Sequence, residues 1–203
     1  MQAEFTALMN IKTWSLCPKP SYKKVVHNKW VFKIKQKLDG TIDRYKARLV
    51  AKGFDQEEGI DFIETFSPVI KPATIRLVLA LAVHFIWFIH QLDISNAFLR
   101  GFLEEEVFME QPQGFEDSNF PDHVYKLHKS LYSLKQAPRA WFMRLSQALL
   151  DFGFVRSVVD TSLSMLHHNL VHVFVLVYVD DILITSNSSS TITHLIYKLN
   201  GEL

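Results

Sequence analysis

A single cysteine, Cys17, stands among the 203 residues, so no internal disulfide can staple the chain. No N-terminal stretch combines a basic segment, an apolar core and a small-residue cleavage site. A reducing, intracellular setting is expected. Net charge is nearly absent too: 22 Lys and Arg face 21 Asp and Glu, a formal +1, beside 48% apolar and 13% aromatic residues. That balance excludes a disordered tail, and a mean hydropathy of +0.07 excludes an integral membrane protein. Glycine and proline number only seven each, scattered without a repeat or a long linker. The longest apolar run, residues 77–89, is too short to span a bilayer, contains His84, and is closed by Arg76 and His90. A buried core helix, opened by Thr74 as its cap and running through Leu77, Ala80, Leu81 and Phe85, is the expectation. Length and composition together indicate one compact, soluble domain.

What is present is charge of one sign in one place. Residues 1–52 carry 12 Lys and Arg against 3 Asp and Glu, whereas the remainder carries 10 against 18. A basic segment interleaved with Trp30, Phe32 and Tyr45 suits a phosphate-rich partner such as nucleic acid or a nucleotide, although a merely solvated lysine-rich face fits it equally. From residue 29 to 37, Trp30, Phe32 and Ile34 alternate with Val31, Lys33 and Lys35 in a strand pattern. Asp39-Gly40 supplies a turn and basic and apolar residues resume to Val50, so residues 29–52 read as a basic β-hairpin. Glu104, Glu105 and Glu106 read as a solvated turn. Trp141, Leu145, Ala148, Leu149 and Phe152 recur at helical spacing up to Gly153, a plausible stop. Strands and helices intermixed with an antiparallel hairpin predict an α+β fold.

Two short stretches end in acid. A strand over Gln91 and Leu92 reaches Asp93, and two β-prone runs, 171–179 and 182–185, flank Asp180 and Asp181 as a hairpin with carboxylates at its tip. An Asp-Asp turn needs no metal. Adjacent like charges at a sheet rim nonetheless suit a divalent cation, since magnesium takes oxygen ligands and commonly uses one or two carboxylates together with substrate phosphates. Asp93 is the natural third carboxylate of a two-ion site. Because successive strand residues face opposite ways, Asp180 is favoured as the direct partner of Asp93, with Asp181 behind it or an occasional ligand.

Here the residues resemble a known family. Tyr178-Val179-Asp180-Asp181 resembles the polymerase box of reverse transcriptases. Trp30-Val31-Phe32-Lys33, Tyr45-Lys46-Ala47-Arg48-Leu49-Val50-Ala51-Lys52-Gly53, Gly59-Ile60-Asp61-Phe62, Thr65-Phe66-Ser67-Pro68-Val69, Leu92-Asp93 with Asn96-Ala97-Phe98-Leu99, and Lys135-Gln136-Ala137-Pro138-Arg139-Ala140-Trp141 resemble, in order, blocks of copia-type long-terminal-repeat retrotransposons. Ser133 stands where that family usually has glycine, and Ser164 where an aromatic is common.

The resemblance implies the fingers and palm of a right-hand polymerase, with an antiparallel palm sheet and packed helices. Residues up to about 90 would be mainly fingers, and the rest mainly palm with an interleaved fingers segment. Thumb, connection and ribonuclease H portions would lie outside this chain. It implies an RNA-directed DNA polymerase within a pol polyprotein that also serves DNA integration. Asp93, Asp180 and Asp181 would bind two Mg2+ ions, with Mn2+ as substitute. Lys46, Arg48 and Gln136 would lie at the incoming deoxynucleoside triphosphate, and Phe98 at its sugar, excluding a ribose. Lys33, Lys35, Lys37 and Tyr178 would meet an RNA or DNA template with its primer. The expected setting is the cytoplasmic particle of the parent element or the nucleus, without a membrane. The competing readings are a retroelement remnant lacking polymerase activity, with at most weak nucleic-acid binding, and a template-free nucleotidyl cyclase.

Overall fold

A computed structural model describes residues 1–202. In chain order the elements are α1 (Gln2–Asn10), β1 (Trp14–Pro18), β2 (Val25–Val26), β3 (Asn28–Gln36), β4 (Ile42–Ala51), α2 (Pro72–His84), β5 (Phe88–Asp93), β6 (Phe102–Met109), β7 (His123–Lys129), α3 (Ala137–Asp151), β8 (Val155–Arg156), β9 (Leu163–His168), β10 (Val171–Tyr178), β11 (Asp181–Ser186) and α4 (Ser189–Glu202). The mixture of helices and mainly antiparallel sheets agrees with the α+β expectation. It divides into two compact units, Met1–Thr65 with Gly101–Ala140, and Phe66–Arg100 with Trp141–Leu203. β5 pairs with β11, which keeps that strand in the second unit.

In the first unit a four-stranded sheet runs β1-β7-β6-β2, and β3 and β4 form a separate two-stranded ladder. The basic hairpin is therefore present, with Gly40 at φ +84 in its turn, where a residue without Cβ carries no steric cost. Asp39 Oδ1 accepts from Thr41 N–H at 2.9 Å and from its hydroxyl at 2.6 Å, and these bonds lower the Asp39 pKa. The glutamates expected in a turn lie instead in β6: Glu106 pairs with Lys126 of β7 and accepts from the Tyr22 hydroxyl at 3.3 Å. Cross-strand cations make an acidic run tolerable in a strand.

The second unit is a five-stranded sheet, β5-β11-β10-β9-β8. Alternation sends Val173, Val175, Val177, Ile182 and Ile184 to one face, against Trp141, Leu145 and Leu149 of α3 and Ile192, Leu195 and Leu199 of α4. Leu163 and Leu176 pack on the other face with Val78 of α2 and Ile70. The helix ending before Gly153 is borne out, starting four residues earlier than Trp141, with Gly153 at φ +86.

The helix within residues 77–89 differs from expectation. It stops at His84, leaving Phe88 and Ile89 to β5; Val78 and Ala82 are buried while Leu77, Val83 and Ile86 are exposed. Thr74 is not its cap. Pro72 occupies the first turn after Lys71, and Asp160, 5% exposed, reaches in from the loop before β9 to accept from Lys71 N–H at 3.0 Å and the Thr74 hydroxyl at 2.6 Å. Burial pushes the Asp160 pKa upward, but these bonds and one from Ser162 N–H outweigh it, and the net shift is down. Among the described residues no helix is long and apolar enough to cross a membrane.

Candidate active site

The residues singled out for chemistry fall into two sets, one in each unit. In the second unit, the β11–β5 register sets Asp181 directly opposite Asp93, Ile182 opposite Leu92 and Leu183 opposite Gln91. Opposed residues of an antiparallel pair share a face, so Asp93, Asp181 and, across the next ladder, Tyr178 stand on one face at the strand ends. The hairpin tip lies one residue earlier than the acidic pair suggests: Val179 and Asp180 form the turn and Asp181 opens β11. Ladder register thus pairs Asp93 with Asp181, not with Asp180 as strand alternation favoured.

Hydrogen bonding separates the three acids differently. Asp181 Oδ1 accepts from Gln91 Nε2 at 3.2 Å. The exposed carboxylates of Asp93 and Asp180 accept no hydrogen bond from any described residue, while the Asp180 backbone carbonyl accepts from Ile94 N–H at 3.0 Å. No group of three or more His, Cys, Asp or Glu close enough to hold a metal occurs among the described residues. An all-oxygen set of one or two carboxylates still fits magnesium, which keeps waters and substrate phosphates as its other ligands.

The turn itself is unusual. Val179 lies at φ +58, a region that costs a β-branched residue roughly 1–2 kcal/mol. Its carbonyl accepts from the indole Nε1–H of Trp141 at 2.7 Å. Trp141 is legible in the sequence as a core residue of α3, but nothing in its spacing reveals this bond. Phe98 sits in a short 3-10 turn, Ala97–Arg100, half-buried against the core cluster below the sheet.

In the first unit, the β3–β4 register sets Val31 opposite Arg48, Lys33 opposite Lys46 and Lys35 opposite Arg44. One face of the hairpin is therefore a ladder of like charges, which is destabilising unless an anion joins it. Lys37 is off this ladder, in the loop after β3. Desolvation, then the neighbouring Arg48 charge, pushes the Lys46 pKa down. The Arg48 guanidinium lies 5.2 Å over the Tyr132 ring, and its Nε is buried without a hydrogen bond. Glu4 of α1 is the acid near this pair; burial raises its pKa and the charges of Lys46 and Arg48 oppose the rise. Glu4 carries no signal in the sequence.

Gln136, expected beside the nucleotide, is 2% exposed. Its Oε1 accepts from Gln56 Nε2 at 2.9 Å and its Nε2 donates to the Asp61 carbonyl at 2.9 Å. Gln56 Oε1 in turn accepts from Lys135 N–H at 2.8 Å. The amide is thus used inside the protein, linking residues 53–61 to residues 131–136. The two segments meet so closely at Gly53 that a Cβ there would fall 1.9 Å from the Ser133 carbonyl oxygen. Ser133 itself has φ +69, the conformation for which the family's glycine is suited.

An antiparallel sheet with acids at its strand ends, in a chain that also carries a basic hairpin, is a combination that suits enzymes acting on phosphate esters. Comparison narrows the class. Residues 11–203 match the family model described as reverse transcriptase (RNA-dependent DNA polymerase), and the chain belongs to that family. It is similar to the retrovirus-related Pol polyprotein from transposon RE1 of Arabidopsis thaliana, 50% identical over 98% of this chain and 14% of that protein. The corresponding polyprotein from transposon TNT 1-94 of Nicotiana tabacum is 43% identical over 100% of this chain and 15% of its own length. A Ty1-DR4 Gag-Pol polyprotein of Saccharomyces cerevisiae is 27% identical over 98% and 12%. The resemblance to copia-type elements is borne out, and the chain spans about one seventh of the length of the first two relatives.

Proposed function

We propose that this chain is the fingers and palm portion of a copia-type reverse transcriptase, copying RNA and DNA templates into DNA within a pol polyprotein. The observation that carries the reading is the meeting of Asp93 with Asp181 at paired strand ends, with Asp180 in the adjoining turn, in a chain of this family. The first unit corresponds to fingers and the second to palm. Asp93 and Asp180, whose carboxylates are uncommitted, hold the metal, and Asp181, already bonded to Gln91, assists. Magnesium, when bound, supplies the charge that activates a hydroxyl and stabilises a leaving oxygen in phosphoryl transfer.

The protein's own groups do the positioning. The like-charge ladder of Lys33, Lys35, Lys46 and Arg48 attracts phosphate, with Lys46 and Arg48 toward the triphosphate and Lys33, Lys35 and Lys37 toward template and primer. Tyr178, half exposed beside Asp181, offers a ring to the primer end. Phe98 excludes a ribose 2′ hydroxyl by bulk. Gln136 serves from inside, fixing the segment that carries Lys135. The remainder of the polyprotein and the element's cytoplasmic particle are the natural partner and setting.

The test is magnesium-dependent extension of a primed homopolymer by the purified chain. Asp93→Asn and Asp180→Asn are each expected to lower extension at least a hundredfold with folding intact, about 2.7 kcal/mol of transition-state stabilisation. Asp181→Asn should cost less. Near-normal extension by Asp93→Asn would overturn the assignment. Wild-type protein that folds and binds nucleic acid yet never extends a primer favours the remnant reading.

A further inference from the structure

A β-branched residue in the left-handed region persists only where its surroundings over-determine it, and at Val179, φ +58, two hydrogen bonds do so. The Trp141 indole N–H donates to the Val179 carbonyl at 2.7 Å, and Ile94 N–H donates to the Asp180 carbonyl at 3.0 Å. Both peptide carbonyls of the turn are therefore held, one by α3 below the sheet and one by the residue that follows Asp93. Trp141 cannot drift, being 1% exposed within the cluster that contains Phe142, Leu145, Ile182 and Ile184. The Asp180 carboxylate hangs from the backbone that these two bonds fix. It makes no bond to any described residue, so the turn's dihedral angles, which fix the direction of its Cα–Cβ bond, set the range that its own rotamers can reach.

We propose that Trp141 is a positioning residue: its indole holds Val179 in the left-handed conformation and thereby sets the direction in which the Asp180 carboxylate would be offered to a divalent cation. This rests on the reading of Asp93 and Asp180 as metal ligands. Loss of the indole N–H lets the turn relax toward negative φ and swings the carboxylate away. Glycine at position 179 adopts φ +58 without steric penalty, so a turn built on glycine does not depend on the indole.

The test is Mn2+ binding to the purified chain, read by electron paramagnetic resonance with a melting curve for each variant. Trp141→Phe is expected to weaken Mn2+ binding about tenfold, and Val179→Gly added to it to restore affinity to within about threefold of wild type. Should Trp141→Phe melt below the assay temperature, benzothienylalanine at position 141 replaces the N–H by sulfur at unchanged shape and should give the same loss. Unchanged Mn2+ affinity in the N–H-deficient protein, or a loss that Val179→Gly does not relieve, overturns the proposal and leaves Trp141 a core residue. Asp93→Asn run in parallel separates the two ideas: if it too leaves Mn2+ binding unchanged, the metal reading falls and this proposal falls with it.

Discussion

Two hairpins of this chain end in charge and show the same two-residue alternation, yet they are opposite kinds of object. In β10–β11, Val173, Val175, Ile182 and Ile184 are wholly buried between covered faces. In β3–β4, Phe32, Ile34, Ile42 and Tyr45 are half exposed or more, and the opposite face is the cation ladder. Alternation identifies a strand, but only tertiary packing decides whether its apolar side meets a core. The buried hairpin presents its acids on a platform with dense support. The exposed one presents cations on a ribbon whose outer part has little apolar support.

The largest expected difference is in stability. Ile184→Ala should destabilise the second unit by about 2–5 kcal/mol, through lost burial plus the cavity left behind. Phe32→Ala in the exposed hairpin should cost within about 0.5 kcal/mol, as surface changes usually do. Urea unfolding of the two variants checks this, and equal losses would erase the distinction.

The support beneath the buried hairpin should also be acid-sensitive through Asp160. Its folded pKa lies below its unfolded value, so its contribution is fully present above the unfolded value and is lost as pH falls through the folded one. Melting temperature should therefore fall less between pH 7 and pH 3 in Asp160→Asn than in wild type. At pH 7 the substitution should cost about 1 kcal/mol, the scale of a helix cap. A pH profile parallel to wild type would contradict the role given to those hydrogen bonds.

A smaller gain is expected in the unit that carries the exposed hairpin. Ser133→Gly should stabilise the first unit by about 1 kcal/mol, because glycine accepts φ +69 without strain. Thermal melting decides it; a lowered midpoint would mean that the serine side chain stabilises more than the strain it carries. Least in energy, but specific to the ribbon, is its response to salt. Reversing the charges of Lys33, Lys35 and Lys37 should flatten the salt dependence of primer-template binding, by about 0.9 in log–log slope for each phosphate that is no longer neutralised. An unaltered slope would put the nucleic acid elsewhere.

Much of this architecture is legible in the sequence. Both hairpins, the strand ending at Asp93 and the helix ending at Gly153 announce themselves through short-range periodicity and turn residues. What is not legible depends on distant partners. Strand β6 hides behind Glu104–Glu106 because the cation that accommodates Glu106 comes from β7. The first turn of α2 misleads because the acid that serves it, Asp160, lies 86 residues from Thr74. Gln136 is placed at the nucleotide by the resemblance alone, and its neighbours in sequence say nothing of Gln56 and Asp61, its partners 80 and 75 residues away. The three carboxylates are visible as acids at strand ends, whereas their register and the Trp141 bond to the turn require the fold.

The close approach at Gly53 has a consequence for lineage as well as for energy. Position 53 admits no Cβ, whereas position 133, whose carbonyl fills that space, already tolerates a residue other than glycine. In related copies held to this fold by selection, codon 53 should stay fixed while codon 133 drifts. In copies released from selection the two codons should diverge at equal rates, so their ratio of change records how long any copy has gone without a folded product.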